Sequence, residues 1–396
     1  MLRHSFHGFI LLLTLAVVAT AVEPRVIGTQ AKRKAVRRVV YDSPRHRQPL
    51  AASPISHVES NHGASSEIST FSDGSTCDGA GSLIADSCDG SCGGFCGDVD
   101  ACFVPSCARW SAGVEFTLVK PHFEGNLAFT TSDSDDATFE TLTNTEFNYN
   151  TELAPRVWIE VVRGGGMGMR VVYWQFDYAA ADTSGSPPDN GFGSITTPPF
   201  GDVDLSTTTP GSVYSASSAL NAYTIDIEGT KAFGGGMWCA VASTGIRFGE
   251  MEQHYSSDLQ NAQNVQQGTI NFSHQIQGVG PTFGVRVRRP FLPNFALFGV
   301  ARGSLLFGDA ESTFVAVEDE DLANAFTTRR NTSRDDLLPI SELQFGLQWM
   351  PNSGGMWHPY FHVAFESQLW NGAGNASSED GNLGFYGLNL AVGLDW

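Results

Sequence analysis

Four groupings of reactive side chains stand out in the 396-residue chain. His254 lies near Glu252 and Asp258, a set that a hydrolase at a membrane rim would need within hydrogen-bond reach of a nucleophile. His among solvated acids is the commoner situation, so an outer-membrane hydrolase is the weakest expectation. His358, His362 and Glu366 recur every four residues and share one face of a strand, which a metal could use and which a polar interior uses equally. Asp133-Ser134-Asp135-Asp136 and Glu318-Asp319-Glu320-Asp321 concentrate charge without the spaced pattern of a calcium loop, and read as solvated, self-repelling loops. Finally, Cys77, Cys88, Cys92, Cys96, Cys102 and Cys107 crowd into one Gly-, Asp- and Ser-rich window. Their spacing fits no standard zinc pattern, so internal disulfides or inter-chain cross-links are expected, with connectivity open. Cys239 is the odd one and is expected as a small buried residue. No catalytic residue, cofactor or metal site is expected.

The elements that would carry these groups are strands. Residues 384–396, GFYGLNLAVGLDW, place Tyr386, Leu388, Leu390, Val392, Leu394 and Trp396 on every second position, with small or polar residues between. Successive strand side chains point to opposite faces, so one face is apolar and the other small and wet. The length suits a tilted transmembrane strand of about 9–11 residues. A closing strand with alternate hydrophobics and a terminal aromatic also suits recognition by barrel-insertion machinery. Charged residues are only 16%, while Gly (43) and Phe (27) are abundant, which favours strands and turns over helices. Beyond the N-terminus no apolar run is long enough for a helical span, so a membrane role requires a closed barrel.

Along the chain, residues 1–21 read as a cleavable export signal: Arg3 and His4, an apolar core from Phe9 to Val18, then Ala19-Thr20-Ala21. Residues 22–76 form a basic, then Ser/Pro-rich spacer with little to bury, expected to be disordered. Its eight Lys/Arg before residue 50 suit a solvated spacer or docking to an anionic wall polymer. Residues 77–107 hold the cysteine cluster. From Arg109 the two-residue period takes over: 109–118, 150–163, 167–179, 217–232, 237–250, 269–289, 294–308, 337–350, 358–370 and 384–396. Short Gly/Pro turns at 164–166, 234–236, 290–293 and 351–357 alternate with long polar connections at 120–149, 180–216, 251–268, 309–336 and 371–383. Such alternation marks an up-and-down transmembrane antiparallel β-barrel over 109–396, an all-β fold. About ten strands are expected, or twelve if Phe123 to Asn148 adds a membrane hairpin. Trp110, Trp158, Trp174, Tyr178, Trp238, Trp349, Trp357, Tyr360, Trp370 and Trp396 fall near strand ends, where aromatic girdles sit, although some must pack inside.

Several stretches resemble the Legionella-type major outer-membrane, pore-forming protein family, also abundant in planctomycetes. They are ARWSAGVEFTLVKP, GVGPTFGVRVRRPFLPNFALFGVARGSLLFGDAES, LPISELQFGLQWMP and the terminal GFYGLNLAVGLDW. The likeness covers roughly 109–396. It implies an outer-membrane, pore-forming barrel and transfers no catalytic residues. The Arg-rich spacer and the Cys cluster depart from the Legionella proteins; a Cys-rich leader looks more planctomycetal.

In the strand register, Glu115, Glu160, Asp226, Glu228, Arg247, Arg286, Arg288, Arg302, Glu342, His362 and Glu366 point inward. Buried unpaired charge is costly, so these must pair or be wet. One reading is a charged lining for a small ion or solute pore; the other is a salt-bridged, closed structural barrel linking the outer membrane to the wall through the leader. From residue 109 the chain has 14 Lys/Arg against 32 Asp/Glu, which excludes nucleic acid as a partner and predicts a modest cation preference at an acidic external mouth. The expected partners are outer-membrane lipid, the insertion machinery and, through the leader, wall polymer; a homo-oligomer is left open.

Overall fold

The computed structural model describes residues 108–136, 139–200, 203–235, 238–351 and 356–396; the expected export signal, spacer and six clustered cysteines lie outside them. In chain order the strands are β1 (Arg109–Phe123), β2 (Leu127–Asp136), β3 (Phe139–Glu146), β4 (Glu152–Val162), β5 (Met167–Ala179), β6 (Thr183–Gly185), β7 (Ser194–Thr196) and β8 (Ser206–Thr207). They continue with β9 (Val213–Gly235), β10 (Trp238–Gln260), β11 (Gln266–Leu292), β12 (Phe295–Glu318), β13 (Phe326–Trp349), β14 (His358–Trp370) and β15 (Leu383–Asp395).

Ten of these strands close on themselves. The order β1-β4-β5-β9-β10-β11-β12-β13-β14-β15 is antiparallel throughout, and β15 returns to β1 with Phe116 opposite Leu390. The closing pair is also joined at its base by reciprocal backbone hydrogen bonds between Trp110 and Trp396, both 2.9 Å. Closure leaves no open edge at membrane level, which is what a strand structure in lipid requires. The hairpin at 127–146 does form, but β2 and β3 belong to a separate four-stranded sheet with β7 and β8, so the barrel has ten strands and not twelve.

The alternation read from the sequence separates two environments. Leu343, Phe345, Leu347 and Trp349 on β13, and Tyr386, Leu388, Leu390 and Val392 on β15, are exposed on the outer wall. Their neighbours Glu342, Asn389 and Ala391 are buried inside. Small inward residues make room for the aromatics that fill the bore. A Cβ on Gly113 would fall 2.3 Å from the Trp158 ring, and one on Gly393 would fall 2.2 Å from Tyr360. Leu343 lies midway along the lipid-facing stretch of its strand, so Leu343→Arg is expected to cost about 2–4 kcal/mol, the value for a cation at the bilayer midplane. Thr327→Arg, on the exposed outer part of the same strand, should stay within about 0.5 kcal/mol. Urea unfolding in lipid vesicles measures both; equal costs would mean that residues 337–349 do not face lipid.

Two connections expected as long loops are mostly strand. The stretches 251–268 and 309–336 continue the ladders, leaving turns of only 261–265 and 319–325. As a result β9 to β13 run 23–27 residues, whereas a membrane crossing needs about 9–11. Polar outward residues on these extensions concealed the inward apolar partners Tyr255, Leu259 and Phe314, which are buried.

Candidate functional site: the barrel interior

At membrane level the interior is a layer of ion pairs. Arg156 on β4 binds Glu115 at 2.6 Å and Glu366 at 2.6 Å, and lies 3.5 Å from Glu342. Arg247 on β10 pairs with Asp226 at 2.5 Å and also with Glu342. Arg302 on β12 reaches Asp226 at 3.1 Å, Glu228 at 3.2 Å and Glu342 at 3.5 Å. Arg170 on β5 pairs with Glu228 at 2.5 Å. Amides complete the set: Asn389 donates to Glu115 and Glu366 at 2.9 Å each, and Gln344 donates to Glu366 at 2.9 Å. The Glu366 side chain has no exposed surface, and these donors take the place of water around its carboxyl group. A cavity of about 30 Å³ lies between Arg156, Arg170, Arg302 and Glu342, large enough to hold water.

The structure gives the eleven charged or titratable residues expected inside different surroundings. Glu115, Asp226, Glu228, Arg247, Arg302, Glu342 and Glu366 belong to the connected layer. Glu160 is buried, and its nearest cation, Arg286, is 3.9 Å away and 37% exposed. Arg288 lies towards the end of the barrel with the short turns, with Nη1 3.0 Å from the Met350 sulfur. His362 contacts the Asn389 amide oxygen at 3.0 Å and stands 3.8 Å from Glu115. The Asn389 amide nitrogen already donates to carboxylates, so its oxygen is the acceptor and His362 Nε2 carries a hydrogen. Arg156 and Arg170 were missed by the sequence reading. Arg156 has the parity of Glu160 on β4, which was the available signal; Arg170 stands among apolar residues on both faces of β5 and gave none.

Beyond the ion layer, away from the short turns, the bore is filled by aromatics. Trp174, Phe176, Trp370 and Phe385 are almost wholly buried, with ring centroids 5.1 Å apart for Phe176–Phe385, 5.4 Å for Trp174–Phe385 and 6.0 Å for Trp174–Trp370. Trp158, Trp174, Tyr360 and Trp370 are therefore interior packing residues and not girdle members, whereas Trp110, Trp238 and Trp349 are exposed outside. Further out, Tyr214 and Tyr255 share a hydrogen bond of 2.6 Å, and burial pushes the Tyr214 phenol up to about 12.

The remaining groupings are not brought together as a reactive set. His254 pairs with Glu252 at 2.9 Å on the exposed face of β10, which lowers the Glu252 carboxyl, while Asp258 accepts from Gln260. Among the described residues no three His, Cys, Asp or Glu side chains converge as metal ligands. Asp133 accepts from Asn190 at 2.6 Å, and Glu320 from Thr269 at 2.9 Å. Cys239 is disulfide-bonded and only partly buried, so the expectation of a small buried thiol is corrected.

His274 on β11, above the lipid-facing band, is 1% exposed and neither ring nitrogen has a hydrogen-bond partner. Burial lowers its pKa, against the opposing pull of Glu379, Asp336 and Asp380, with Arg334 reinforcing the shift. The unfolded chain then binds more protons than the folded one. Stability should be full above the ordinary imidazole value of about 6.5 and decline as pH falls through the lowered one. Hydrogen exchange of the external strands at pH about 5 and about 8 reads this. His274→Leu should flatten the difference; an unchanged difference would place the titration elsewhere.

Residues 104–396 match the model of the family described as Legionella pneumophila major outer membrane protein precursor. A search of curated proteins returns no match. Among solved structures, the chain is similar to the Escherichia coli outer membrane protease OmpT, with 11% identity, TM-score 0.37, and coverage of 73% of this chain and 96% of that one. It is also similar to the outer membrane protein OprG of Pseudomonas aeruginosa, with 9% identity, TM-score 0.25, and coverage of 72% and 96%. A third is a mutant of the monoaromatic hydrocarbon channel TodX, with 7% identity, TM-score 0.23, and coverage of 74% and 90%.

Proposed function

The chain belongs to the Legionella major outer membrane protein family, and on that premise we propose that its barrel is a narrow, gated ion pathway that is closed at rest. It is an outer-membrane protein, and the bore of its ten-stranded barrel is filled by buried side chains, unlike the aqueous channel of porins with about 16–18 strands, so a general solute porin is not the reading we favour. The observation that carries the proposal is the sharing of carboxylates. Glu342 lies within ion-pair distance of Arg156, Arg247 and Arg302, and Asp226 of both Arg247 and Arg302. A guanidinium can pass from one acid to the next without any charge becoming bare, which avoids the cost of breaking a buried pair outright. Acidic external tips, including Glu318-Asp319-Glu320-Asp321, favour cations at that mouth.

Glu342→Gln tests the gate, because it removes the acid common to three guanidiniums. In a planar bilayer the variant is expected to spend on the order of tenfold more time conducting, a bias of about 1.4 kcal/mol. A reversal potential favouring chloride would remove the cation preference. The aromatic layer favours a second reading: a permanently closed barrel that ties membrane to wall through residues 22–107. In that case Glu342→Gln would stay silent, and the protein would leave wall material only after reduction or wall digestion.

A further inference from the structure

The five long strands β9 to β13 form a wall above the lipid band, and its two edges are treated differently. The β9 edge is covered: β6 pairs with residues 214–216, and the Ala180 amide bonds to the Ser218 carbonyl. The β13 edge is not covered by the neighbouring strand, because β14 begins to pair only at Ile340, opposite Trp370. Among the described residues, 326–338 therefore pair with β12 alone. Residues 329–335 are exposed on both faces, unlike the alternating burial of β12 beside them.

Edge strands are templates for pairing unless proline, a bulge or charge blunts them. The β12–β13 register runs unbroken, and residues 326–338 contain no proline. What guards the outer part of this edge, 326–333, is the positive charge of Arg329 and Arg330; Arg334, Asp335 and Asp336 follow nearer the lipid band. Arg334 is held by Asp336 and Glu379, whereas Arg329 and Arg330 have no ion pair among the described residues; Arg330 lies over the Phe314 ring at 5.5 Å. Beside the edge, on its inner side, is a groove of about 420 Å³ between Arg330, Thr332 and the 377–380 loop, with Pro199, Phe200 and Phe272 as an apolar wall.

We propose that the free edge of β13 takes up an extended segment of an external partner protein as an added strand, one that alternates apolar and acidic residues. Strand addition draws affinity from the main chain and specificity from alternate side chains. Apolar residues would enter the groove, where Glu379 and Asp380 disfavour further acids, and the acidic residues would lie on the outer face beside Arg329. A basic segment would be repelled by Arg329 and Arg330.

The test uses the full chain folded in lipid nanodiscs and a blocked peptide alternating Val and Glu, with the Val/Lys peptide as control. The Val/Glu peptide should slow amide exchange across 326–338 by on the order of tenfold, and the Val/Lys peptide should not. Arg329→Glu combined with Arg330→Glu should reverse that preference. Arg329→Gln, a milder change, should weaken the Val/Glu effect without reversing it. Absence of protection in 326–338, or equal protection by both peptides, would overturn the proposal. So would anionic lipid vesicles that bind through the same arginines while leaving those amides unprotected.

Discussion

Arg247→Ala is expected to cost the folded barrel about 3–5 kcal/mol, the range for removing one partner from a buried ion pair. The guanidinium is 1% exposed and engages both Asp226 and Glu342, so its loss leaves two carboxylates deep in the bore with only Arg302 and Arg156 to share. The cost comes from stranded charge more than from lost attraction. Replacing the pair, Arg247→Leu with Asp226→Leu, should therefore recover most of the loss, because no bare charge remains and the volume is filled. Urea unfolding in detergent or lipid measures all three proteins. If the double variant were as unstable as the single one, the ion layer would act through shape and not through charge balance.

The second large effect lies in the aromatic layer. Trp174→Ala and Trp370→Ala each delete a ring with almost no exposed surface, and each is expected to cost about 3–5 kcal/mol. The two rings touch each other and Phe385, so their costs should not add. The functional consequence should exceed that of either ion-layer variant, since the deletion removes the upper seal as well as stability. With the ion layer as the remaining barrier, the double variant should leak ions faster than wild type in a vesicle efflux assay, through the brief openings of that layer, with larger organic solutes still retained. Retention of ions by a folded double variant would locate the seal in the ion pairs alone.

The wall of the barrel was legible in the sequence because lipid imposes a strict two-residue period on its outer face. Leu343-Phe345-Leu347-Trp349 and Tyr386-Leu388-Leu390-Val392 carry that period without interruption, and the short Gly/Pro turns marked where strands pair as hairpins. The external extensions were hidden because they face water on one side and packed side chains on the other. Residues 309–336 thus read as an acidic loop although most of them form strand. The interior was legible in kind but not in partnership. Glu115, Glu342 and Glu366 stood out as charges at inward positions, while the Arg156 that joins them comes from a strand whose apolar residues drew attention to its other face. Trp174 and Trp370 were placed at strand ends, where girdles also lie. Trp370 shares the parity of the inward His362 and Glu366 on its strand, a signal that was present; Trp174 shares that of Arg170, which no feature of the sequence placed inside.

The most direct test is the single-channel current of the folded wild-type barrel in a planar bilayer under a salt gradient. A closed but exchangeable ion layer predicts mostly silent traces with brief, small steps, which become more frequent in Glu342→Gln. Large, long-lived steps from the wild-type protein would mean that the bore is open, and would contradict the account.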